Sequence, residues 1–159
     1  MMSTSVAIRP LDGHRFVVNG FLLDTNVPSE LIRARPEPSV GRWVYAQDEQ
    51  SRCLSAVSIG ELRRGFILLP LGKRRSELEQ WFEDVLIPRF RGRILPFTHS
   101  ISDRWGVLDG ECKLRGAPIS TGDGMIAATA LEHGFTVVTR NVKDFSNLGV
   151  AVFSPWDAV

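Results

Sequence analysis

The feature that most constrains the fold is an alternation between short runs that are apolar throughout and segments of helical character. One such run, Phe135-Thr136-Val137-Val138, follows a helical segment of small residues that Gly134 is suited to end. Similar runs lie at Phe21-Leu22-Leu23 and Cys53-Leu54-Ser55-Ala56-Val57. Strands of this kind are typical of sheets covered on both faces. The alternation therefore predicts an α/β domain with three α/β/α layers and a mainly parallel sheet.

The length of the chain indicates a single domain. At 159 residues it is long enough to bury one core and too short for two ordinary domains. We predict that this domain spans residues 21–157. Residues 1–20 contain Pro10 and Asp12-Gly13 and show no periodicity, so we predict a loosely ordered or non-native N-terminal extension there.

The composition predicts a cytoplasmic protein that does not associate with membranes. Hydrophobic residues make up 43% of the chain and charged residues 23%, and no apolar run approaches the roughly eighteen residues of a membrane span. The first residues also lack the pattern of a signal peptide. Cys53 and Cys112 are interpreted as separate structural thiols, which fits a reducing compartment.

The balance of charge excludes recruitment of nucleic acid by overall attraction. The chain carries 19 basic and 18 acidic side chains, a net charge of +1. Any attraction to phosphate must therefore come from local clusters, such as Arg63-Arg64 or Arg140 with Lys143. An ordinary solvated surface is the alternative interpretation of each cluster.

Four acidic side chains stand where an apolar run ends or a helix begins: Asp24, Glu61, Asp123 and Asp144. In open α/β domains these junctions gather at the carboxyl edge of the sheet, so carboxylates distant in sequence can meet there. Crowded carboxylates repel one another unless a cation neutralises them. Oxygen-only ligands favour Mg²⁺ or Mn²⁺ over zinc or copper. The sequence therefore predicts a divalent-metal site suited to phosphoryl chemistry.

The first two acids also have purely structural interpretations. Asp24 precedes Thr25 and Asn26 and could form an Asx turn at a strand end. Glu61 follows Ser58 by three residues, the spacing of a capping box that would open a helix at Ser58. Both alternatives stay open at this point.

The last two acids differ in how well a structural role explains them. Asp123 would stand in the first turn of a helix, where a carboxylate is favoured by the helix dipole. The small residues Ala127-Ala128-Thr129-Ala130 behind it favour a helix that lies close against the sheet and brings Asp123 to the strand ends. Asp144 could be an exposed loop acid, and Asn141 is its rival for the same position.

Other catalytic groups are absent from the sequence pattern. The three histidines have no zinc-like spacing, and the chain has no Gly-x-Ser-x-Gly elbow, phosphate loop or Gly-x-Gly-x-x-Gly motif. A phosphohydrolase of the haloacid-dehalogenase type would also place an aspartate after a strand. That class resembles Asp-x-Asp, whereas the second position here is Asn26.

The ordered set of motifs resembles the PIN-domain family, and within it the VapC/FitB-like ribonuclease toxins of bacterial toxin–antitoxin pairs. The match covers nearly all of residues 21–156, and the set is highly specific although each motif alone is weak. The segments that carry it are Leu22-Leu23-Asp24-Thr25-Asn26-Val27 with Ser29-Glu30-Leu31, Leu54-Ser55-Ala56 through Glu61-Leu62-Arg63, Asp123 with Ile126-Ala127-Ala128-Thr129-Ala130, Thr139-Arg140-Asn141 with Asp144-Phe145, and Pro155-Trp156.

The resemblance implies a PIN fold around a parallel five-stranded sheet, and metal-dependent endonucleolytic hydrolysis of RNA. It implies that the catalytic acids are Asp24, Glu61, Asp123 and Asp144. Asp24 and Asp123 would bind Mg²⁺ or Mn²⁺ directly, and the other two would act less directly or through water. The supporting residues would be Thr25, Asn26, Thr139 and Asn141, and the candidate contacts to substrate phosphate are Arg63, Arg64 and Arg140.

The resemblance also implies partners. Members of the family usually form homodimers and are silenced by a cognate VapB-like antitoxin whose C-terminal segment lies in or over the acidic cleft. Operator DNA would be bound only through the antitoxin. The alternative within the same family is a protein that acts mainly as an antitoxin-binding co-repressor and cleaves RNA marginally. Gly124 stands where members often carry alanine, and we expect it to loosen the start of the helix that presents Asp123.

Overall fold

The computed structural model describes residues 6–8, 16–18 and 20–157. The strands are β1 (Val6–Ile8), β2 (Phe16–Val18), β3 (Phe21–Leu23), β4 (Arg52–Ser55), β5 (Ile94–Leu95), β6 (Thr136–Val138) and β7 (Val152–Phe153). The helices are α1 (Asn26–Leu31), α2 (Pro38–Ala46), α3 (Ala56–Ile67), α4 (Lys73–Trp81), α5 (Ile87–Arg89), α6 (His99–Leu114), α7 (Thr121–His133) and α8 (Val142–Phe145). A 3₁₀ turn, Glu49–Ser51, precedes β4, and a π-helical turn, Phe82–Leu86, joins α4 to α5.

Five strands form a parallel sheet in the order β5-β4-β3-β6-β7. The central strand is β3, in which Leu22 lies beside Cys53 of β4 on one side and Val137 of β6 on the other. All three residues of β3 are buried. The predicted mainly parallel five-stranded sheet is confirmed, and its carboxyl edge collects the ends of β3, β4 and β6.

A separate two-stranded antiparallel ladder pairs β1 with β2, with Val6 opposite Val18. Most of the predicted N-terminal extension, residues 1–20, falls outside the described residues. Its loose or non-native character therefore stays a prediction, as does the domain boundary at residue 21.

Helices cover both faces of the sheet and give the three layers that the sequence predicts. One buried cluster joins β3 and β4 to α1, α2, α3 and α4, with Leu54, Val27 and Phe82 among its members. The other joins the opposite face to α6, α7 and α8 and contains Cys112 and Phe145. Both cysteines are buried and unpaired, as expected of structural thiols.

Helix α7 lies close against the sheet because its inner face is made of small residues. Ala127, Ala128 and Ala130 are fully buried, and Gly134 ends the helix with a left-handed φ of 67°. Gly124 is buried where α7 meets α6: a Cβ there would lie 3.0 Å from Ile119 Cδ1. Gly124 thus permits close packing of the two helices. The expected loosening of the helix start stays a prediction.

The start of one helix differs from expectation. α3 begins at Ala56, so the predicted helix start at Ser58 is wrong. Helix α4 is followed by the π-helical turn, and Pro88 lies in the first turn of α5. Over the described parts of the chain, no helix has both the length and the hydrophobicity needed to cross a membrane.

Candidate metal centre

Asp24 follows the central strand β3 and is only 5% exposed. Its backbone N–H continues the β3–β6 ladder by donating to the Val138 carbonyl at 2.9 Å. Its carboxylate accepts a hydrogen bond from the Thr25 N–H at 2.8 Å on Oδ1 and one from the Thr139 hydroxyl at 2.8 Å on Oδ2. Asn26 Nδ2 lies 3.4 Å from the same Oδ2. Asp24 is therefore held in one orientation at the carboxyl edge of the sheet.

The environment of Asp24 works against its ionisation. Burial raises the pKa of Asp24 to about 6, although the hydrogen bonds from Thr139 and the Thr25 amide lower it. Repulsion from Asp123 and Glu61 is a smaller part of the same rise in pKa. The fold thus brings three of the four predicted acids close enough to interact electrostatically.

Glu61 does not form the capping box that its spacing from Ser58 suggested. Ser55 is the N-cap of α3, where its Oγ accepts a hydrogen bond from the Val57 N–H at 3.0 Å. Glu61 is turned toward Thr25 instead. The Thr25 hydroxyl oxygen lies 2.9 Å from Glu61 Oε1 and 2.9 Å from Ser58 Oγ. The structural alternative for Glu61 is therefore wrong, and its carboxylate joins the loop that carries Asp24.

The first turn of α7 packs directly against the Glu61 carboxylate. A Cβ added at Gly122 would lie 3.1 Å from Glu61 Oε2, which is tighter than almost all real contacts of this kind. Glycine at position 122 therefore leaves the space that the carboxylate occupies. This contact places Glu61 beside the helix turn that carries Asp123.

Asp123 lies in the first turn of α7, as the sequence predicts. Ser120 caps this helix by accepting a hydrogen bond from the Asp123 N–H at 3.2 Å. Burial raises the pKa of Asp123, the contact with Ser120 lowers it, and repulsion from Asp144 raises it. Asp123 therefore interacts with Asp24 on one side and with Asp144 on the other.

The loop after β6 is organised by Thr139, which is completely buried. Besides donating to Asp24, its hydroxyl oxygen accepts hydrogen bonds from Asn26 Nδ2 at 3.2 Å and from the Asn141 N–H at 3.0 Å. Asn26 Oδ1 also accepts from the Arg140 N–H at 3.3 Å. Asn141 thus supports the loop through its backbone, while Asp144 is exposed on α8.

Asp123 and Asp144 border a cleft of about 730 Å³ between the end of α6, the start of α7 and α8. Two basic residues, Arg115 and Lys143, also line it, and both are exposed. In the described part of the molecule neither forms an ion pair with an acidic side chain within 4.0 Å. The cleft therefore combines acidic groups with cations that are free to meet an anion.

The residues at this centre fit a hard divalent cation. The carboxylates of Asp123 and Glu61 and the hydroxyl of Thr139 lie near Asp24, and a cation would relieve the repulsion that helps to raise its pKa. Within residues 6–8, 16–18 and 20–157, no three acidic, histidine or cysteine side chains converge as a ready ligand set. Mg²⁺ usually retains several water molecules, so it can be held by fewer than three protein side chains.

The arginines expected near substrate phosphate are placed differently from one another. Arg63 pairs with Glu83 at 2.9 Å and stacks over Phe82 at 4.6 Å, so its guanidinium is engaged away from the acids. Arg64 is exposed on the same helix. Arg140 follows Thr139 and lies 5.9 Å from the Trp156 ring, which keeps it beside the centre. A phosphate-binding role for these three residues stays a prediction.

Sequence reasoning missed several residues that shape this region. Ser58 and Gly122 act through contacts between elements, and Ser120 caps α7 locally; a serine or glycine near a helix start is too common to single out. Arg115 and Lys143 lie 28 residues apart and share the cleft only because α6 and α8 flank α7. The basic pair Arg140 and Lys143 was a partial signal.

Comparison with known proteins identifies the family. The family model of the PIN domain matches residues 21–150. This chain belongs to the PIN-domain family. The resemblance inferred from the ordered motifs is thereby confirmed, and the three-layer architecture is that of a PIN domain.

Two curated relatives are similar over nearly their whole length. VapC ribonuclease Y4jK of Sinorhizobium fredii is 40% identical over 136 residues, which cover 86% of this chain and 97% of that protein. Toxin FitB of Neisseria gonorrhoeae is 41% identical over 135 residues, which cover 85% and 97%. Among solved structures, FitAB bound to an IR36 DNA fragment matches with a TM-score of 0.82 and 39% identity, covering 87% of this chain and 97% of that chain.

Proposed function

We propose that this PIN domain is a metal-dependent ribonuclease toxin that hydrolyses phosphodiester bonds of RNA and is neutralised by a cognate antitoxin. The observation that carries the proposal is the Asp24 carboxylate, which is buried, oriented by Thr139, and raised in pKa to about 6 with Asp123 and Glu61 nearby. The similarity to a VapC ribonuclease and to toxin FitB supports the same activity here.

Asp24 and Asp123 would hold the metal, and Mg²⁺ is the ion that best matches oxygen donors with retained water; Mn²⁺ is an acceptable substitute. When bound, the ion would activate water and offset the negative charge of the phosphate. Glu61 and Asp144 would act through water or at the edge of the site. The same ion would lower the pKa of Asp24 by favouring its ionised form.

The side chains around the acids orient them before substrate arrives. Thr139 and the Thr25 amide fix the two oxygens of Asp24, so little reorganisation is needed when a ligand binds. Glu61 is held through Oε1 by Thr25 and is exposed to solvent. Its Oε2 is therefore free to accept a proton from an attacking water molecule.

The RNA strand would reach the acids through the cleft that contains Arg115 and Lys143. A nucleic-acid backbone needs local cations here, because the net charge of the chain is only +1. These two side chains stand at the cleft that Asp123 and Asp144 border. Arg140 is a further candidate at the other side of Thr139.

The proposal includes assembly with other proteins. The structure of FitAB bound to DNA supports a chain that joins an antitoxin and contacts operator DNA only through it. A homodimer of this chain is the expected core of such an assembly. This observation also favours a second role as co-repressor, which is compatible with nuclease activity.

The direct test is RNA cleavage by purified protein with Mg²⁺, with Mn²⁺ and with EDTA. Asp24→Asn and Asp123→Asn should each lower the rate by at least about a hundredfold, because each removes a charged ligand. The matched control is Asp103→Asn, which changes an exposed acid on α6 in the same way and should cleave like the parent chain. In cells, the two site variants should abolish growth arrest.

Two results would overturn the proposal. One is undiminished cleavage by a folded Asp24→Asn protein. The other is equal cleavage in EDTA and in Mg²⁺, which would remove the metal from the reaction. If cleavage is absent but an operator complex with the antitoxin forms, the co-repressor role would stand alone.

A further inference from the structure

A second, smaller pocket lies on the other helical layer, away from the acids. Its volume is about 120 Å³, and apolar side chains of α1, α2, α4 and the π-helical turn form most of its walls. Among the described residues that line it, the polar ones are Tyr45, Arg52 and Arg89. We name it the Arg52 pocket. It shares no lining residue with the cleft beside Asp123.

Arg52 is a buried cation whose hydrogen bonding is incomplete. It opens β4, is 5% exposed, and its Nε is buried without a hydrogen-bond partner in the described structure. Burial lowers the pKa of Arg52, and the nearby positive charge of Arg89 also lowers it. The negative charge of Glu49 raises this pKa but only partly compensates. A buried guanidinium in this situation is stabilised by any carboxylate that reaches it.

The protein itself supplies too little negative charge at this end of the sheet. Glu49 is shared between Arg89, at 3.2 Å, and Arg93, at 3.6 Å. Arg93 is further satisfied by backbone carbonyls, including those of Arg52 and Arg89. Arg52 has no acidic partner within 4.0 Å among residues 20–157. Two arginines therefore share one glutamate, and the buried Arg52 is left without an acidic partner.

The rim of the Arg52 pocket has the properties of a protein interface. Tyr45 is 61% exposed and Val85 is 47% exposed, although both are large and mainly apolar. Exposed aromatic and arginine side chains around a small pocket are enriched at the centres of protein–protein contacts. Val85 also lies in the π-helical turn, a feature that is frequent at functional sites.

We propose that the Arg52 pocket receives an aspartate or glutamate side chain from an apolar segment of the antitoxin, and that Arg52 binds its carboxylate. This inference rests on the proposed function, which supplies the antitoxin as partner. The apolar walls would accept the methylene groups of the acidic residue and its apolar neighbours. Tyr45 and Arg89 would close over it at the rim.

The dimensions of the pocket favour a carboxylate over a nucleic-acid phosphate. A volume of about 120 Å³ corresponds to roughly four water molecules at about 30 Å³ each, enough for an acidic side chain. A phosphate would bring a ribose and a charged backbone against walls that are mostly apolar. Charge and shape together therefore match one acidic residue flanked by apolar ones.

The test compares the full-length toxin with its Arg52→Met variant for binding to the antitoxin encoded beside it, measured by calorimetry with both proteins purified. Arg52→Met keeps the side-chain volume and removes the charge. We expect affinity to fall about thirtyfold or more, the loss typical when a buried interfacial charge pair is broken. The loss should persist at high salt. The control is Arg91→Met, an exposed arginine outside the pocket, which should bind normally.

Two further measurements separate recognition from a structural role. RNA cleavage and urea unfolding of free Arg52→Met should match or exceed the parent chain, because replacing an uncompensated buried charge is often neutral or stabilising. On the antitoxin, each acidic residue is changed to its amide in turn. One change should reproduce the loss and cause no further loss with Arg52→Met, which also decides the matter if that variant folds poorly.

The outcomes are distinct. Absence of any complex with the parent toxin would overturn the antitoxin part of the proposed function. Equal affinity of the parent chain and Arg52→Met for the antitoxin, with every antitoxin amide variant binding normally, would overturn this inference alone. A change in toxin self-association without a change in antitoxin affinity would assign the pocket to a second copy of this chain and would also overturn it.

Discussion

At the scale of single residues, burial of the Asp24 carboxylate lowers the stability of the folded protein, and the rest of the fold compensates for this loss. Its carboxylate is 5% exposed and raised in pKa to about 6, so the charged form needed for metal binding is disfavoured in the metal-free protein. The hydrogen bonds from Thr139 and Thr25 reduce this cost without removing it. Carboxylates at functional sites often lower the stability of the fold while they are held in position to bind a ligand.

Asp24→Asn should therefore stabilise the metal-free protein at pH 7. The carboxyl titrates near 3.8 without the fold and near 6 within it. Between these values the folded state binds more protons than the unfolded state, so the free energy of unfolding falls as pH rises through this window. The difference between these two pKa values corresponds to a destabilisation on the order of 3 kcal/mol at pH 7, which the asparagine variant avoids.

Urea unfolding in EDTA measures this effect. The parent chain should gain stability when the pH is lowered from 7 to 5, and Asp24→Asn should gain less because only the raised pKa of Asp123 remains. Asp103→Asn serves as the control and should follow the parent chain. The interpretation is wrong if Asp24→Asn is less stable than the parent chain at pH 7.

At the scale of elements, the start of α7 depends on two glycines with different tasks. Gly122 leaves room for the Glu61 carboxylate of α3, and Gly124 leaves room for Ile119 and for Trp105 of α6. One glycine therefore serves the acidic centre and the other serves the packing of the two helices. Their separation by a single intervening residue makes the two effects easy to confuse without substitution data.

Gly122→Ala should impair cleavage without weakening the fold. The added Cβ would lie 3.1 Å from Glu61 Oε2, so the carboxylate must move, and we expect the rate to fall by about tenfold or more. Helix propensity changes by up to about 1 kcal/mol in favour of alanine. RNA cleavage and thermal unfolding of Gly122→Ala measure the two effects.

Gly110→Ala is the matched control for this change. Gly110 lies in α6 with open space around its Cβ position, so the variant should gain helix propensity and cleave like the parent chain. If Gly122→Ala and Gly110→Ala cleave equally well, the close approach to Glu61 has no role in activity.

The elements that could be predicted from sequence are those with a strong local pattern. The strands β3 and β6 were recognisable because every residue in them is apolar or small, and α7 because its inner face is rich in alanine. In β4 the run Cys53-Leu54-Ser55 gave the same signal, although the strand begins one residue earlier, at the charged Arg52. The start of α3 could not be predicted in this way. Ser55 and Ser58 lie three residues apart and both suit an N-cap, so packing rather than propensity selects Ser55.

The acidic centre shows the same division. The placement of Asp24 and Asp123 at strand and helix ends followed from the topology of a parallel sheet. The hydrogen bond from Thr139 to Asp24 joins residues 115 positions apart, and no local sequence pattern predicts it. The same holds for the approach of Gly122 to Glu61 and for the position of Arg115 beside Lys143.

At the scale of the whole molecule, a net charge of +1 makes RNA binding depend on where the cations stand. Each phosphate contact with single-stranded nucleic acid contributes about 0.7 to the slope of log affinity against log salt concentration. Arg115 and Lys143 face the cleft beside the acids and have no ion pair within the described structure. Most of the salt dependence should therefore originate at this cleft.

Arg115→Ala and Lys143→Ala should each lower that slope by about 0.7, and the double variant by about twice as much. Binding is measured with a short labelled RNA in an Asp24→Asn background, so that no cleavage occurs. Lys113→Ala is the control, because Lys113 pairs with Asp109 at 3.6 Å on α6 and does not line the cleft. Unchanged slopes in the double variant would direct the search to Arg140 and its neighbours.

The order of the strands also decides when during synthesis the acidic centre can form. The central strand β3 leaves the ribosome early, but its neighbour β6 and the hydroxyl that orients Asp24 follow more than a hundred residues later. Bacterial chains grow at about 5–20 residues per second, so this interval lasts several seconds. A chain released early from a truncated messenger RNA contains Asp24 and Glu61 but lacks the later residues that complete the centre. Translation to near completion is therefore required before the nuclease activity that we propose can appear in the cell.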